Sequence, residues 1–326
     1  MPPPIRLQLF GYAPPPIAWP LVWGLAGVLA LLTLGALAAA LLPLIRRGHD
    51  VTELRQRVVS WWVMAAMLGV ALALGWPATL LLFVVVSFIA LREYLSLAPA
   101  RPEDRLIILG SYLVVPISYA WIAIGEYGIY LVFVPVWVFL ITPFLMAVMG
   151  ETRSYLARAA SFHWGQVTCV YAMGFTVWLM RTPANEPMPA GPAGLVFLLL
   201  LATEANDVAQ YCWGKLFGRH KIVPKVSPNK TWEGFLGGWA TTAALIWLVG
   251  PVFAPLAGVN LAIMAVLLPL AGFAGDVTMS AIKRDIGVKD TSHLIPGHGG
   301  LLDRIDSLTF TAPLYFHLLT FFALHR

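Results

Sequence analysis

The chain has 326 residues, of which 59% are hydrophobic and 11% are charged, and its formal net charge is +5. A soluble domain carries about 25% charged residues, so this composition excludes an ordinary water-soluble protein and indicates an integral membrane protein built of helices. The basic excess does not require a nucleic-acid partner, because Lys and Arg in a membrane protein first report orientation. The two cysteines, Cys169 and Cys212, lie in apolar runs without CxxC spacing and predict neither a disulfide framework nor a zinc site.

A proline-rich lead, residues 1–18, precedes the first hydrophobic segment and lacks the features of a secretory signal. Ten hydrophobic segments follow and are candidates for membrane-spanning helices; they lie near residues 19–45, 58–75, 76–91, 106–124, 127–149, 164–181, 194–214, 234–254, 259–282 and 306–325. Only Gly75-Trp76-Pro77 separates the second from the third, which predicts a tight helical hairpin. We therefore expect an all-α polytopic membrane protein, with N-terminal transmembrane helices over 19–193 and a second region over 194–326.

The basic residues indicate the orientation of these segments. If the N-terminus is outside, 18 of the 21 Lys and Arg residues fall in inside segments, and those segments are 46–57, 92–105, 150–163, 215–233 and 283–305. Only Arg6, Arg181 and Arg326 fall elsewhere. Because short cytoplasmic loops carry the excess of Lys and Arg, the pattern predicts an N-out, C-out topology.

The first polar cluster interrupts the seventh hydrophobic segment with Glu204, Asn206, Asp207 and Gln210. A carboxylate in a membrane span costs a few kcal/mol and usually faces the bundle interior or a wet cavity. A structural polar patch between helices is the alternative. Two acids and two amides within seven residues favour a functional site.

The second cluster is the stretch KVSPNKTWEGFLGG, residues 225–238. Ser227 and Pro228 predict a turn, and the hydroxyl of Thr231 is placed to cap the helix that follows. Free backbone N–H groups at that helix start, with Lys225 and Lys230 beside them, would suit a phosphate. The stretch lacks the GxxxxGK[ST] pattern of a P-loop, and an ordinary basic loop remains the alternative.

The third cluster is KRDIGVKDTSHLIPGHGGLLDRID, residues 283–306, with its apolar flank. If the flank is helical, one face carries Asp276, Ser280, Lys283 and Arg284. Asp303 and Asp306 are likewise i, i+3 neighbours, and the glycines of Pro296–Gly300 let the backbone approach a ligand closely.

Converging acids hold a divalent cation, and neighbouring basic residues hold the phosphates that bridge to it. The third cluster therefore suits phosphoryl or nucleotidyl transfer. The alternative, a charged loop that fixes topology, explains the basic residues but neither Asp276 nor the glycine-rich turn. His293 and His298 have no thiolate or HExxH partner, so a hard cation such as Mg²⁺ fits better than zinc. We expect His298 to bind phosphate or to order the loop.

The residues 280–306 resemble the signature of CDP-diacylglycerol synthases (phosphatidate cytidylyltransferases), S-x-x-K-R-x4-K-D followed by P-x-H-G-G-x-x-D-R-x-D. The stretches KVSPNKTWEGFLGG and DVAQYCWGKLFGRHK also resemble segments of that family, K-x-S-P-x-K-T-x-E-G-x-x-G-G and D-T-G-A-Y-x-x-G-[RK]-x-F-G-[RK]-H-K. The specific motifs cover roughly the C-terminal 130 residues. Val208-Ala209-Gln210 replaces the family's T-G-A, as in a paralogous branch whose lipid acceptor differs.

The resemblance implies a polytopic enzyme that makes CDP-diacylglycerol and pyrophosphate from CTP and phosphatidate for phospholipid biosynthesis. It implies Mg²⁺, with a monovalent cation such as K⁺ beside it, and a cytidylyltransferase catalytic region over 194–326. Asp276 and Asp303 would be the principal metal ligands, with Asp207 a further acid and Lys283 and Arg284 catalytic. The residues expected to contact substrate are Ser227, Lys230, Thr231, Glu233, Ser280, Lys289, Asp290, His298, Gly299, Gly300, Arg304 and Asp306.

The resemblance also implies CTP, phosphatidate or a related lipid phosphate, and membrane lipid as partners, with a homodimer left open. We expect the inner membrane, with the active site at its cytoplasmic face. Two alternatives remain: a CTP-dependent kinase acting on a polyprenol or other lipid, and a transporter or lipid-binding protein that uses the acids as an ion path. A transporter would favour inverted repeats with broken helices, and the sequence shows none.

Overall fold

The computed structural model describes residues 16–45, 52–98, 101–150, 152–182 and 188–324. Most of the proline-rich lead and residues 46–51 of the first basic segment lie outside the described residues, as do Arg6 and Arg326. Within the described ranges the chain is helical and contains no β-strand; isolated bridges join Lys221 to Thr231 and Ile295 to Gly299.

The described residues of the first half form eight α-helices, and π-helical segments join two pairs of them. They are α1 (Trp19–Ile45), α2 (Thr52–Leu74), α3 (Trp76–Leu97), α4 (Arg105–Ile124), α5 (Tyr127–Val132), α6 (Phe139–Val148), α7 (Tyr155–Gln166) and α8 (Ala172–Met180). The π-helical segments Phe133–Val138 and Val167–Tyr171 join α5 to α6 and α7 to α8. Gly75 takes a left-handed φ of 89° between α2 and α3, which confirms the predicted hairpin.

The second half contains three long helices, a four-residue helix and a terminal helix. They are α9 (Gly191–Phe217), α10 (Trp232–Phe253), α11 (Gly258–Ile286), α12 (Leu302–Ile305) and α13 (Leu308–Leu319), which a π-helical segment continues to Leu324. Gly234 and Gly238 of α10 lie against Gln210 of α9, and a Cβ on Gly238 would come within 2.7 Å of the Gln210 backbone nitrogen. Small residues allow this close approach of two membrane helices.

Eight of the described helical stretches are long and apolar enough to cross a membrane. They are Trp19–Leu41, Thr52–Leu74, Trp76–Leu97, Pro102–Ile124, Tyr127–Val148, Gly191–Phe217, Trp232–Phe253 and Gly258–Ile286. The prediction of an all-α polytopic membrane protein is therefore confirmed, while the count of ten spans and the N-out, C-out orientation stay predictions. Helix α3 continues to Leu97, beyond the predicted residue 91, because backbone hydrogen bonding extends past the apolar residues that hydropathy detects.

Helix α8 lies at the centre of the bundle, where every residue from Ala172 to Met180 is buried. Helices α3, α9 and α13 pack around it.

The segments predicted to lie on the inside of the membrane contact one another. Arg57 contacts Gly297, Glu93 contacts Leu302, Arg284 contacts Val226, and Asp104 pairs with Arg158. Each of the five predicted inside segments takes part in at least one of these contacts, as expected if they share one side of the membrane.

Candidate active site

A cavity of about 190 Å³ lies where α9, α10 and α11 meet the loop 218–231. Parts of all three polar clusters line it: Asp207, Gln210 and Tyr211 from α9; Ser227, Asn229, Lys230 and Thr231 from the loop; Gly234 and Phe235 from α10; and Phe273 and Asp276 from α11. The structure thus brings two of the predicted acids and a predicted phosphate-binding lysine to one place.

Asp276 is held on the cavity wall by two side chains from different elements. The Lys230 ammonium group bonds to Oδ2 of Asp276, and the Ser280 hydroxyl donates to its Oδ1 at 3.2 Å. Ser280 is one helical turn after Asp276, so this contact confirms the shared helix face that the sequence predicts. Lys230 also lies over the ring of Phe273, with Nζ 4.9 Å from the centroid, which fixes the ammonium group between an acid and an aromatic face.

The other cavity acid, Asp207, accepts hydrogen bonds from the Ser307 hydroxyl at 2.9 and 3.2 Å. Ser307 follows Asp306, which is buried and within electrostatic reach of Asp207, Asp276 and Lys283. Helix α11 approaches this segment so closely that a Cβ on Gly275 would lie 2.6 Å from the Asp306 carbonyl oxygen. Carboxylates from three elements therefore lie within electrostatic reach of one another, and the ammonium groups of Lys230 and Lys283 lie within the same reach.

Asp303 has a different environment, because hydrogen-bond donors from α11 and from the preceding loop surround its carboxylate. Lys283 Nζ donates to Oδ1 at 2.8 Å, while Oδ2 accepts from Thr291 N at 2.8 Å, Thr291 Oγ1 at 3.0 Å and Gly300 N at 3.0 Å. Burial opposes ionisation, but the hydrogen bond and charge of Lys283, with the backbone donors, hold the pKa of Asp303 below its usual value. Asp303 is thus an ionised, fixed carboxylate joined to α11 through Lys283.

The conformation of the glycine-rich turn at Pro296–Gly300 requires glycine at position 299. Gly299 has a φ of 81°, and a Cβ there would lie 2.9 Å from Oδ2 of Asp303, so another residue would strain the backbone and crowd the carboxylate. His298 packs edge-on against Trp61 with ring centroids 5.9 Å apart. Burial, assisted by the charges of Arg304 and Arg57, lowers the pKa of His298. The two expected roles of His298, binding phosphate and ordering the loop, stay predictions.

Thr231 and Glu233 organise the start of α10. The Gly234 backbone N–H donates to Thr231 Oγ1 at 3.2 Å, which confirms the predicted helix cap. Glu233 accepts from the backbone N–H groups of Arg219 at 3.0 Å and His220 at 3.2 Å. Glu233 therefore orders the turn after α9, and its predicted contact with substrate stays a prediction.

The remaining predicted residues lie around the cavity mouth or on the exposed loop. Arg284 donates to the carbonyl oxygens of Val226 at 3.1 Å and Val288 at 3.3 Å, so it ties the basic loop to α11. Lys289, Asp290 and Arg304 are exposed.

The sequence reasoning missed Glu93, a buried acid near the end of α3 that binds the glycine-rich loop. The sequence signal for it was a carboxylate at the end of a hydrophobic run.

Comparison with known proteins identifies the family to which these motifs belong. Residues 55–322 match the model of the Cytidylyltransferase family. The chain belongs to the cytidylyltransferase family. This match extends well beyond the C-terminal motifs, into helices where the sequence offered only hydropathy, and it makes the chain a nucleotidyltransferase.

Similar curated proteins cover this cytidylyltransferase to different extents. It is 40% identical over 276 residues to "Uncharacterized protein YnbB" of Escherichia coli (strain K12), covering 85% of this chain and 89% of that protein. It is 43% identical over 137 residues to a phosphatidate cytidylyltransferase of Mycobacterium leprae (strain TN), covering 40% of this chain and 42% of the relative. It is 39% identical over 153 residues to the phosphatidate cytidylyltransferase of Brucella suis biovar 1 (strain 1330), covering 47% of this chain and 56% of the relative. The alignments therefore span about half the length of these two named enzymes.

The donor set of this cytidylyltransferase fits a magnesium ion bound together with a nucleotide. Among the described residues, no group of three or more His, Cys, Asp and Glu side chains is arranged to hold a metal ion. Mg²⁺ usually takes only one or two carboxylates, with waters and substrate phosphates as its other ligands. Asp207 and Asp276 on one cavity wall supply such hard oxygen atoms, and Lys230 beside them suits the phosphates.

Proposed function

We propose that this cytidylyltransferase transfers CMP from CTP to phosphatidate and releases pyrophosphate, giving CDP-diacylglycerol for phospholipid synthesis. The observation that carries the proposal is the cavity in which Asp207, Asp276 and Lys230 meet at the basic end of the bundle. The similarity to phosphatidate cytidylyltransferases of Mycobacterium leprae and Brucella suis supports the choice of acceptor.

The proposed reaction needs no nucleophile from the protein. An oxygen of the phosphatidate phosphate attacks the α-phosphorus of CTP, the bond from that phosphorus to the bridging oxygen of the β-phosphate breaks, and pyrophosphate leaves with the bonding electrons. Lys230 and Ser227 line the cavity and would bind the phosphates, and Lys283, which Asp303 holds, would add a further positive charge. Catalysis then consists of alignment and charge neutralisation.

We propose that Asp276 and Asp207 hold Mg²⁺ together with the substrate phosphates, with a monovalent cation such as K⁺ nearby, and that Asp303, which does not line the cavity, acts through Lys283. Asp276 and Asp207 line the cavity, and Asp303 reaches the same helix α11 through Lys283. When bound, Mg²⁺ would neutralise the triphosphate and polarise its phosphoryl oxygens. Lys230 contacts Asp276 and Lys283 contacts Asp303, so the acids would place both ammonium groups where the phosphates bind.

We place the enzyme in the inner membrane with the cavity open to the cytoplasm. The linked basic segments support this placement, because cytoplasmic loops carry the excess of Lys and Arg. Val208 and Tyr211 of α9 are 56% and 65% exposed beside the cavity acids, on a helix apolar enough to span the bilayer. A lipid phosphate would therefore reach the cavity from the membrane side, and CTP would reach it from the water.

A second candidate acceptor is a different lipid phosphate, and Gln210 favours it. Gln210 lines the cavity at the position where the related family segment has alanine, and its Nε2 is buried without a hydrogen-bond partner among the described residues. An unpaired buried donor costs about 1–3 kcal/mol, so a ligand oxygen at this position would be favoured. Such a contact would change which lipid phosphate fits.

The test is an assay of the purified protein in detergent micelles with CTP labelled at the α-phosphate and Mg²⁺. Phosphatidate and a panel of other lipid phosphates are offered to the wild type and to Gln210→Ala. The proposal expects a labelled CDP-lipid and pyrophosphate, both abolished by EDTA and restored by Mg²⁺. Labelled CDP without a CDP-lipid would indicate the kinase alternative. Absence of any CDP-lipid across the panel contradicts cytidylyl transfer, and a changed acceptor ranking in Gln210→Ala supports the second acceptor.

A further inference from the structure

The loop between α11 and α12, residues 287–301, carries the glycine-rich turn, and one acid from the N-terminal helices binds it. That acid is Glu93, which lies near the end of α3 and is 7% exposed. We propose that Glu93 is a positioning residue that fixes the Asp303 carboxylate in the active site through this loop. The expected effect of Glu93 on turnover rests on the proposed function, whereas its expected effect on the order of the loop does not.

Both carboxylate oxygens of Glu93 accept hydrogen bonds from the loop and the start of α12. Oε1 accepts from Ser292 Oγ at 2.7 Å and from Leu301 N at 3.0 Å. Oε2 accepts from Leu302 N at 2.8 Å and from Thr291 Oγ1 at 3.3 Å. One side chain thus holds two points of the loop that lie about ten residues apart in sequence, so it closes the loop into a fixed shape.

The same donors place Asp303. The Thr291 hydroxyl lies between the two acids, 3.3 Å from Glu93 Oε2 and 3.0 Å from Asp303 Oδ2. Glu93 binds the backbone N–H of Leu302, the residue immediately before Asp303. Displacement of Glu93 would therefore free the main chain next to Asp303 and allow the Thr291 hydroxyl, whose single proton is shared by the two acids, to shift together with the loop.

Gly300 shows that the loop is shaped to admit Glu93. A Cβ on Gly300 would lie 2.1 Å from Thr291 Oγ1 and 2.6 Å from Glu93 Oε2. Any side chain at this position would push both groups away from the main chain. The glycine therefore serves the contact between α3 and the loop, as well as the backbone donor to Asp303.

The charge of Glu93 is needed because all four partners are donors. A glutamine has nearly the same shape, but its amide nitrogen would face donors in place of one of the two oxygens. Glu93→Gln is therefore a minimal change that spoils two of the four contacts. Ser87→Ala is the matched control: Ser87 is buried on the same helix and its hydroxyl bonds to the Tyr119 hydroxyl at 2.7 Å, away from the loop.

The first measurement is hydrogen exchange of the full-length protein in detergent, without substrate. In Glu93→Gln we expect amide exchange over residues 290–302 to accelerate by about tenfold or more, with α9 and α13 unchanged. The Ser87→Ala control should leave the loop at the wild-type rate. Wild-type exchange over 290–302 in Glu93→Gln overturns the inference, whatever reaction the enzyme catalyses.

The second measurement is CDP-lipid formation at saturating substrates. A displacement of about 1 Å in a catalytic group costs up to roughly 10²-fold in rate, so we expect kcat of Glu93→Gln to fall about tenfold or more, with KM for CTP within about threefold. A wild-type kcat in a variant whose loop exchanges faster shows that the loop's order does not serve catalysis, and overturns the positioning role. If the wild type also forms no CDP-lipid, that result contradicts the proposed function instead.

If Glu93→Gln does not accumulate in membranes, a change in the loop residues that bind Glu93 provides the test. Ser292→Ala removes one donor to Glu93 and leaves Glu93, the Thr291 hydroxyl and both backbone donors in place. We expect the same acceleration of loop exchange and the same selective fall in kcat, each smaller than for Glu93→Gln. Wild-type exchange and kcat in Ser292→Ala overturn the inference.

Discussion

Asp276 and Asp303 lie in different surroundings, so changing each to asparagine should separate catalysis from stability. Asp276 is on the cavity wall, with 27% of its side chain exposed and two side-chain partners. Asp303 is 5% exposed and accepts four hydrogen bonds. Both changes remove one negative charge and nearly preserve shape, and we expect both to abolish turnover for the proposed metal-dependent reaction.

The expected cost in stability follows from these contacts. Asn at position 276 still accepts from Ser280 and loses the ion pair with Lys230, whose side chain is 14% exposed. A partly exposed pair contributes about 0–1 kcal/mol, so the unfolding midpoint should fall by no more than about 2 °C. Breaking the buried Lys283–Asp303 pair leaves an unpaired ammonium group and costs about 3–5 kcal/mol. At roughly 2 °C per kcal/mol, the midpoint of Asp303→Asn should fall by about 6–10 °C.

The assay combines thermal unfolding in detergent with CDP-lipid formation on the same preparations. Asp285→Asn is the matched control, because Asp285 is an exposed acid on the same helix as Asp276, and both readouts should stay at wild-type values. Equal midpoints for Asp276→Asn and Asp303→Asn would refute the distinction drawn from their contacts. Wild-type turnover in Asp276→Asn would remove that residue from the active site.

Three further predictions concern pH and local contacts. Because the folded pKa of Asp303 lies below its unfolded value, its charge stabilises the fold above about pH 4 and this contribution is lost as pH falls further; the wild-type midpoint should therefore drop more steeply than that of Asp303→Asn on acidification, and parallel curves would contradict this. Thr231→Ala removes the cap of α10 and should cost about 1 kcal/mol in unfolding free energy, whereas Thr231→Ser should cost less. Glu233→Gln weakens acceptors for the Arg219 and His220 N–H groups, so proteolysis after α9 should accelerate; an unchanged cleavage rate would show that the turn is ordered by other contacts.

Features that depend on neighbouring residues could be predicted from the sequence. The apolar runs predicted the helices, because the cost of exposing backbone or polar groups to lipid is set along each segment. The cap at Thr231, the hairpin at Gly75 and the pairing of Ser280 with Asp276 all join residues within a few positions of one another. The polar clusters were visible because charge is rare in this chain, with only 11% charged residues.

The partners of those clusters were decided by the packing of the helices. Lys230 meets Asp276 across 46 residues, and Glu93 meets Leu302 across 209. A sequence pattern reports which face of a helix is polar, but not which other helix lies against that face. The approach of α11 to Asp306 over Gly275 and of α3 to the loop over Gly300 depends on distances of a few ångströms between separate elements. The sequence by itself therefore determined the class of protein and the inventory of reactive groups, while the tertiary structure decided that Asp207 and Asp276 share a cavity, and that Asp303 is held from α3.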